Sequence, residues 1–370
     1  MQTKRLTFAS VQKQRVKKLQ KQLAERNLDA FLISGQANRF YLTGWEGDPE
    51  SGYLLIIPNT ALLITDARYT EHATKQTDGF EIFETKEGPG PTLKEIVEKY
   101  KLKLVGFESH DLSFFENSKI KKFIKPARLV PVAHFVEELR SVKDEIEIEN
   151  IKKSVSIAEK TLAHVLKFIK PGHTEKEIAW EMEKYMREAG AQKMAWEPFI
   201  VAAGANSSMA HYGAGDTKVK KGDALQIDYG CVYAGYHCDI SRVVFVGKPD
   251  TKQKEIYNLV IEAQKIGIEM VKEGRNAGVI DKKVRNFLEK RTKYYYKHSL
   301  GHGVGLEVHE LPSVSLTRKN KLVAGNVITI EPGIYIPGWG GVRIEDMVLV
   351  TKTGSEVLTK IPKRIEEVTI

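Results

Sequence analysis

Four carboxylates stand where a folded chain accommodates them least well. Asp228 lies inside the apolar run LQIDYG, and Asp239 follows eleven residues later in HCDISRVVFVG. Glu331 closes VITI before a Pro-Gly turn, and Glu345 falls in VRIEDMVLV. These runs have the β-branched character of buried strands. A carboxylate inside such a strand is costly unless a cation or hydrogen bonds compensate it. Taken singly, each Asp is explained by a turn cap. Glu345 is explained by an ion pair with Arg343, two residues earlier on the same strand face. Together they are too many for separate ion pairs. A turn candidate at Val232–Gly235 would also fold Asp228 and Asp239 back towards each other. Carboxylates gathered in one place repel, and a metal ion is a common remedy.

A second segment, HSLGHGVGLEVHELP, places His298, His302 and His309 within twelve residues in a chain that has ten histidines in all. Gly301, Gly303 and Gly305 would let its backbone run close to a ligand or metal. GHGVG lacks the spacing and the compact strand–turn–helix setting of a dinucleotide fingerprint, so that reading is set aside. Four carboxylates with one imidazole form an oxygen-rich donor set. It suits Mn²⁺, Co²⁺, Fe²⁺ or Zn²⁺ in a two-metal centre rather than a thiolate zinc finger. Two such ions can activate water and polarise a scissile carbonyl. Cys231 and Cys238 are then bystanders, with Cys238 expected to face away from its strand neighbour Asp239.

At 370 residues the chain is long enough for two domains. Residues 28–80 read as short strands, followed by a helix near Thr92–Tyr100, the strand LKLVGFE and a Lys-rich helix at Phe114–Phe123, an α/β pattern. This domain is expected to end near LVPVAHFVEELRSVKDE, where Pro131 interrupts. Beyond it a helix from Lys143 to Phe168 is stopped by Pro171-Gly172, and Thr174 with Glu177 offers a capping box for the next. Strands then run from Phe199 to Val246, helices over Thr251–Lys272 and Gly278–Lys290, and strands again from Val327 to Leu358. That helix–helix–strands rhythm, played twice, hints at an internal duplication.

Net charge is +9, concentrated in residues 1–27, where Lys4, Arg5, Lys13, Arg15, Lys17, Lys18, Lys21 and Arg26 face Glu25 alone. Val16, Leu19 and Leu23 fall between them at helical spacing, so the segment reads as an amphipathic helix with a solvated basic face. Nucleic-acid binding is therefore not expected from charge. No apolar run reaches membrane-spanning length, the N-terminus has no secretory core, and two cysteines fit a reducing cytosol.

These motifs resemble the M24 "pita-bread" metallopeptidases, the family of methionine aminopeptidase, aminopeptidase P and prolidase, over essentially the whole chain. The resemblance implies an α/β creatinase-like N-terminal domain at 1–135 and an α+β pita-bread catalytic domain with pseudo-twofold duplication at 136–370. It implies Asp228, Asp239, His302, Glu331 and Glu345 as ligands of two divalent ions, Mn²⁺ foremost. VAAGANSSMAHYG resembles the stretch carrying a substrate-side histidine, here His211, although Ala210 stands where a proline often precedes it. His298 and His309 match the family's active-site histidines and Arg343 the arginine of its R-I-E-D motif; Glu331 would double as proton shuttle, and Arg343 would orient Glu345 or another carboxylate. NRFYLTGWEG and LLITDARYTEHA resemble the creatinase-type domain that methionine aminopeptidases lack, which points to the proline-directed branch. The implied activity is aminopeptidase P-type cleavage of an N-terminal Xaa-Pro bond by a cytoplasmic homodimer. Alternatives are a prolidase confined to dipeptides, a creatine amidinohydrolase, and a non-catalytic RNA- or protein-binding relative. Trp339 is left without an assigned role.

Overall fold

The structure is a computed structural model and describes residues 8–370; Lys4 and Arg5 of the basic segment lie outside the described residues. The chain divides into two compact units, Met1–Arg140 and Ser141–Ile370.

The first unit runs α1 (Phe8–Glu25), β1 (Ala30–Ile33), α2 (Gln36–Thr43), β2 (Gly52–Ile57), β3 (Thr60–Asp66) and α3 (Thr70–Gln76). It continues through β4 (Glu81–Thr85), α4 (Pro89–Lys99), β5 (Leu104–Glu108), α5 (Phe114–Phe123), β6 (Arg128–Val132) and α6 (Phe135–Arg140). Its six strands form one sheet in the order β4-β3-β2-β1-β5-β6, with β2 alone antiparallel to its neighbours. Leu32, Leu55, Leu62, Ile64, Ile96, Val105, Phe107 and Ile120 make its core.

Three sequence expectations change here. Pro131 does not end the domain: it sits inside β6, opposite Phe107, on the edge of the sheet where a missing N–H is tolerated. A boundary at 135/136 would cut α6, yet Arg140 at its end donates to Asn38 at 2.7 Å within the first unit. On α1, Leu19 and Leu23 are buried as expected, but the basic face is not wholly solvated. Arg15 is buried, donates to the Tyr41 carbonyl at 2.9 Å and stacks 3.9 Å over its ring.

The second unit begins with α7 (Glu145–Phe168) and α8 (Glu175–Glu188). The Thr174–Glu177 capping box is present, with Glu177 N–H bonding the threonine hydroxyl at 3.2 Å. Short strands follow: β7 (Lys193–Met194), β8 (Ile200–Ala203), β9 (Ala224–Tyr229), β10 (Cys231–Tyr233), β11 (Tyr236–His237) and β12 (Ile240–Phe245). Another helix pair, α9 (Thr251–Glu269) and α10 (Ala277–Glu289), leads into β13 (Gly301–Gly303), β14 (Glu310–Val314), β15 (Val327–Ile330), β16 (Gly333–Ile336), β17 (Gly340–Arg343), β18 (Asp346–Val350) and β19 (Ser355–Val357). Each helix pair is thus followed by antiparallel strands, β12-β9-β8 in the first repeat and β14-β13-β15-β18-β19 in the second. Val260, Ala263, Ile280 and Val284 of the second helix pair pack with Ile328, Ile330, Ile344 and Val348 of its strands.

One buried ion pair joins the two repeats. Arg242 of β12 and Asp346 of β18 are both inaccessible, 2.6 Å apart, and Thr359 adds a hydrogen bond to the same carboxylate at 2.7 Å. Removing one partner strands the other charge in the interior. Asp346→Ala is therefore expected to lower unfolding free energy by about 3–5 kcal/mol, read by urea denaturation, with a smaller loss in the Arg242→Met/Asp346→Leu double variant.

Candidate metal centre

The five expected ligands come from both repeats and reach a common space by different devices. Asp228 lies on β9 opposite Ser241 of β12. Between these strands, β10 and β11 pair around Ala234 (φ 49°) and Gly235 (φ 83°), a two-residue turn that reverses the chain and returns Asp239 beside Asp228. Cys238 does face the other way: its sulfur lies 3.9 Å from that of Cys231. Both thiols are free and buried.

His302 is the central residue of β13, and the flanking glycines serve a purpose other than the expected one. A Cβ on Gly301 would fall 1.9 Å from the Thr329 carbonyl oxygen, and one on Gly303 2.2 Å from that of Leu311. The glycines let neighbouring strands close on β13; they do not make room for a ligand. Glu331 follows β15 directly. Glu345 differs from expectation too, lying between β17 and β18 rather than inside a strand, with its N–H bonded to the Ser241 carbonyl at 3.2 Å.

Three overlapping groups of donor atoms result, each confined within 4.8 Å: Asp228, Asp239 and Glu345; His302, Glu331 and Glu345; and Asp239, His302 and His309. His302 Nε2 lies 3.5 Å from Asp239 Oδ2 and 3.4 Å from Glu331 Oε1. Its Nδ1 is 3.1 Å from the Gly303 carbonyl, which fixes the proton there and leaves the Nε2 lone pair facing the carboxylates. Burial, with His309 alongside, pushes the His302 imidazole down to about 3, so it is a neutral donor. Burial also pushes Asp239 and Glu331 well above the usual carboxylate range, with Glu345 as the foremost repelling charge. Glu345 itself rises to about 8, through burial and then the charge of Asp228. Asp228 Oδ1 and Glu345 Oε1 are buried without a hydrogen-bond partner. Crowded, partnerless carboxylate oxygens beside a pre-oriented imidazole are what divalent cations would satisfy, and the donor set fits them.

Arg343 is a cation built into this space. Its Nη2 donates to Asp228, not to Glu345. Its Nε donates to Ser241 Oγ at 2.9 Å, and its Nη1 to the Tyr335 hydroxyl at 2.9 Å and the Ala210 carbonyl at 3.1 Å. Tyr335, overlooked in the sequence, relays this network to His298 Nε2 at 3.0 Å. The other His298 nitrogen is 2.7 Å from the Ser299 carbonyl, so both are committed, and burial lowers the imidazole to about 4. His298 thus braces the wall, whereas His309 stands edge-to-face on His302 at 4.3 Å. His211, on the loop tethered by Arg343 at Ala210, is exposed.

That loop has a second anchor that sequence reading missed. Glu175, wholly buried at the start of α8, accepts from Ala203 N–H (2.7 Å), Asn206 Nδ2 (2.9 Å), the Tyr212 hydroxyl (3.0 Å) and Gly215 N–H (3.0 Å). In the sequence it is no more than an acid in the first turn of a helix.

Comparison with known proteins agrees with this geometry. Residues 149–352 match the model of metallopeptidase family M24, and residues 15–142 that of the creatinase/prolidase N-terminal domain. The Xaa-Pro dipeptidase of Pyrococcus horikoshii is 38% identical over 96% of this chain and 99% of its own. A solved Xaa-Pro dipeptidase from Bacillus anthracis is 37% identical, with a TM-score of 0.92 over 97% of this chain and 100% of its own. The X-Pro aminopeptidase structure from Thermotoga maritima is 38% identical, with a TM-score of 0.86 over 94% of this chain and 99% of its own.

Two outcomes follow from the site. Chelation should lower the melting temperature by several degrees, since ions that bind only the folded state stabilise it by mass action, and added Mn²⁺ should restore it in a thermal scan. Glu175→Gln, which replaces one acceptor oxygen by a donor, should quicken amide exchange across residues 203–215 and cut kcat/KM by about 10–100-fold through misplacement of the His211 loop.

Proposed function

This chain belongs to metallopeptidase family M24, and from that premise we propose that it is a dinuclear-metal exopeptidase hydrolysing Xaa-Pro bonds, with dipeptides as preferred substrates. The convergence of Asp228, Asp239, His302, Glu331 and Glu345, in a chain that also carries a creatinase/prolidase N-terminal domain, supports this reading. The relatives named Xaa-Pro dipeptidase favour the dipeptide form over the aminopeptidase P form expected from sequence, although the Thermotoga structure bears an aminopeptidase name.

In this reading the five residues hold two divalent ions, Mn²⁺ foremost and Co²⁺, Zn²⁺ or Fe²⁺ as alternatives. The ions would supply Lewis acidity and a water ionised near neutral pH. Glu331 receives the proton of the attacking water and passes it to the departing nitrogen. Arg343 holds Asp228 in place. His309 and His211 face the substrate and donate to the developing oxyanion. The scissile bond is a tertiary amide without an N–H, so a selective pocket offers that nitrogen no acceptor and encloses the ring in apolar surface. A homodimer in a reducing compartment is the proposed setting, in keeping with two thiols that stay unjoined.

A hydrolysis panel separates the readings. Xaa-Pro dipeptides should be cleaved fastest, Xaa-Pro-Yaa peptides more slowly and Met-Ala-led peptides not at all. Equal turnover of tripeptides and longer chains would restore the aminopeptidase P form. Asp228→Ala and His302→Ala should each abolish hydrolysis and lose bound metal. Full activity in either would sink the assignment, and chelation without effect would favour a non-catalytic binding protein.

A further inference from the structure

The first unit carries another cluster of ligand-type side chains, apart from the centre described above. β5 and β6 are parallel neighbours in register Glu108↔Val132, so the turns leaving their ends emerge side by side. One turn carries His110, and the other carries His134 and leads into α6, whose first turn contains Glu137. One ligand atom from each of the three lies within 4.8 Å of the others. His110 Nε2 is 3.0 Å from Glu137 Oε1, and the His110 and His134 rings are 4.9 Å apart.

A hydrogen bond and a ring contact explain part of this arrangement. They leave one atom unexplained. Glu137 Oε1 accepts from both His110 and Asn38, whereas Oε2 is buried with no partner, on a side chain only 9% exposed. An orphaned carboxylate oxygen in that setting is expensive. The surrounding charge also leaves room for a cation. Asn38 bridges Glu137 to Glu108 (2.6 Å), and Asp111 adds a third carboxylate against Arg39 and Arg140. His110 is partly exposed and His134 exposed, which gives a path from solvent.

We propose that His110, His134 and Glu137 form a binding site for a zinc-class divalent cation, with water as the fourth ligand. Tetrahedral coordination at about 2.0–2.1 Å places adjacent ligand atoms roughly 3.3 Å apart. The 3.0 Å between His110 and Glu137 therefore needs only a small opening. Two imidazoles and one carboxylate select Zn²⁺ or Co²⁺ over Mg²⁺ or Ca²⁺. The cation would clamp the end of β5 to the start of α6, with Glu137 Oε1 as its ligand and the partnerless Oε2 of the same carboxylate beside its charge.

The test uses the full-length Asp228→Ala/His302→Ala chain, in which the catalytic centre is disabled, dialysed against Zn²⁺ and then against metal-free buffer. One retained Zn²⁺ per chain is expected, with a rise in melting temperature and, for Co²⁺, the visible absorption of four-coordinate cobalt. Adding His134→Ala must abolish the retained metal and the absorption, and so must His110→Gln, which leaves the left-handed backbone at His134 (φ 57°) untouched. In the otherwise unaltered protein, His134→Ala should remove one zinc per chain while Xaa-Pro hydrolysis is unchanged. No retained zinc, or retention that survives both histidine substitutions, overturns the proposal.

Discussion

Mutual repulsion among Asp228, Asp239, Glu331 and Glu345 is the force that the second unit is organised around. All four are at least largely withdrawn from water, and burial with shared charge favours protonation of Asp239, Glu331 and Glu345. Among the described residues one cationic side chain pairs with them, the Arg343 guanidinium on Asp228. The other carboxylates are held in place by backbone placement: the return of a tight turn for Asp239, the ends of strands for Glu331 and Glu345. Such rigidity keeps a high-energy arrangement available for cations instead of letting it relax.

The hub role of Arg343 explains why elements distant in sequence behave as one site. Its guanidinium touches β9 through Asp228, β12 through Ser241, β16 through Tyr335 and the His211 loop through Ala210. Glu175 repeats the device with opposite charge, collecting four donors from the same loop. The loop is thus fixed by buried charges, near both ends by Glu175 and at Ala210 by Arg343, which is how a connecting segment becomes precise enough to place the His211 imidazole.

The cluster of candidate ligands was legible in the sequence because carboxylates in several apolar runs are together too many for separate caps and ion pairs. Helices with strong periodicity and caps, such as α7 and α8, were legible on local grounds. What escaped depended on partners remote in the chain. Tyr335 looks like an ordinary strand aromatic until Arg343 and His298 are brought to its hydroxyl. Glu175 looks like a helix-start acid until the 203–215 loop folds over it. Pro131 reads as a breaker until β6 proves to be an edge strand. The pairing of Arg343 with Asp228 rather than Glu345 was likewise a matter of which strand lies above which.

Gly301 and Gly303 carry an implication for how such a protein can change over generations. The strand bearing His302 is pinned by backbone-to-backbone closeness, with 1.9 Å between a hypothetical Cβ on Gly301 and the Thr329 carbonyl oxygen. The spacing there is set mainly by backbone atoms, with the Thr329 hydroxyl beside them accepting from His302 N–H at 3.2 Å. Mutational wandering in the surrounding core can proceed with little effect on the imidazole, while a single methyl group on this strand would move it. The segment is an evolutionary fixed point, and diversification of substrate preference must be sought in the loops around it.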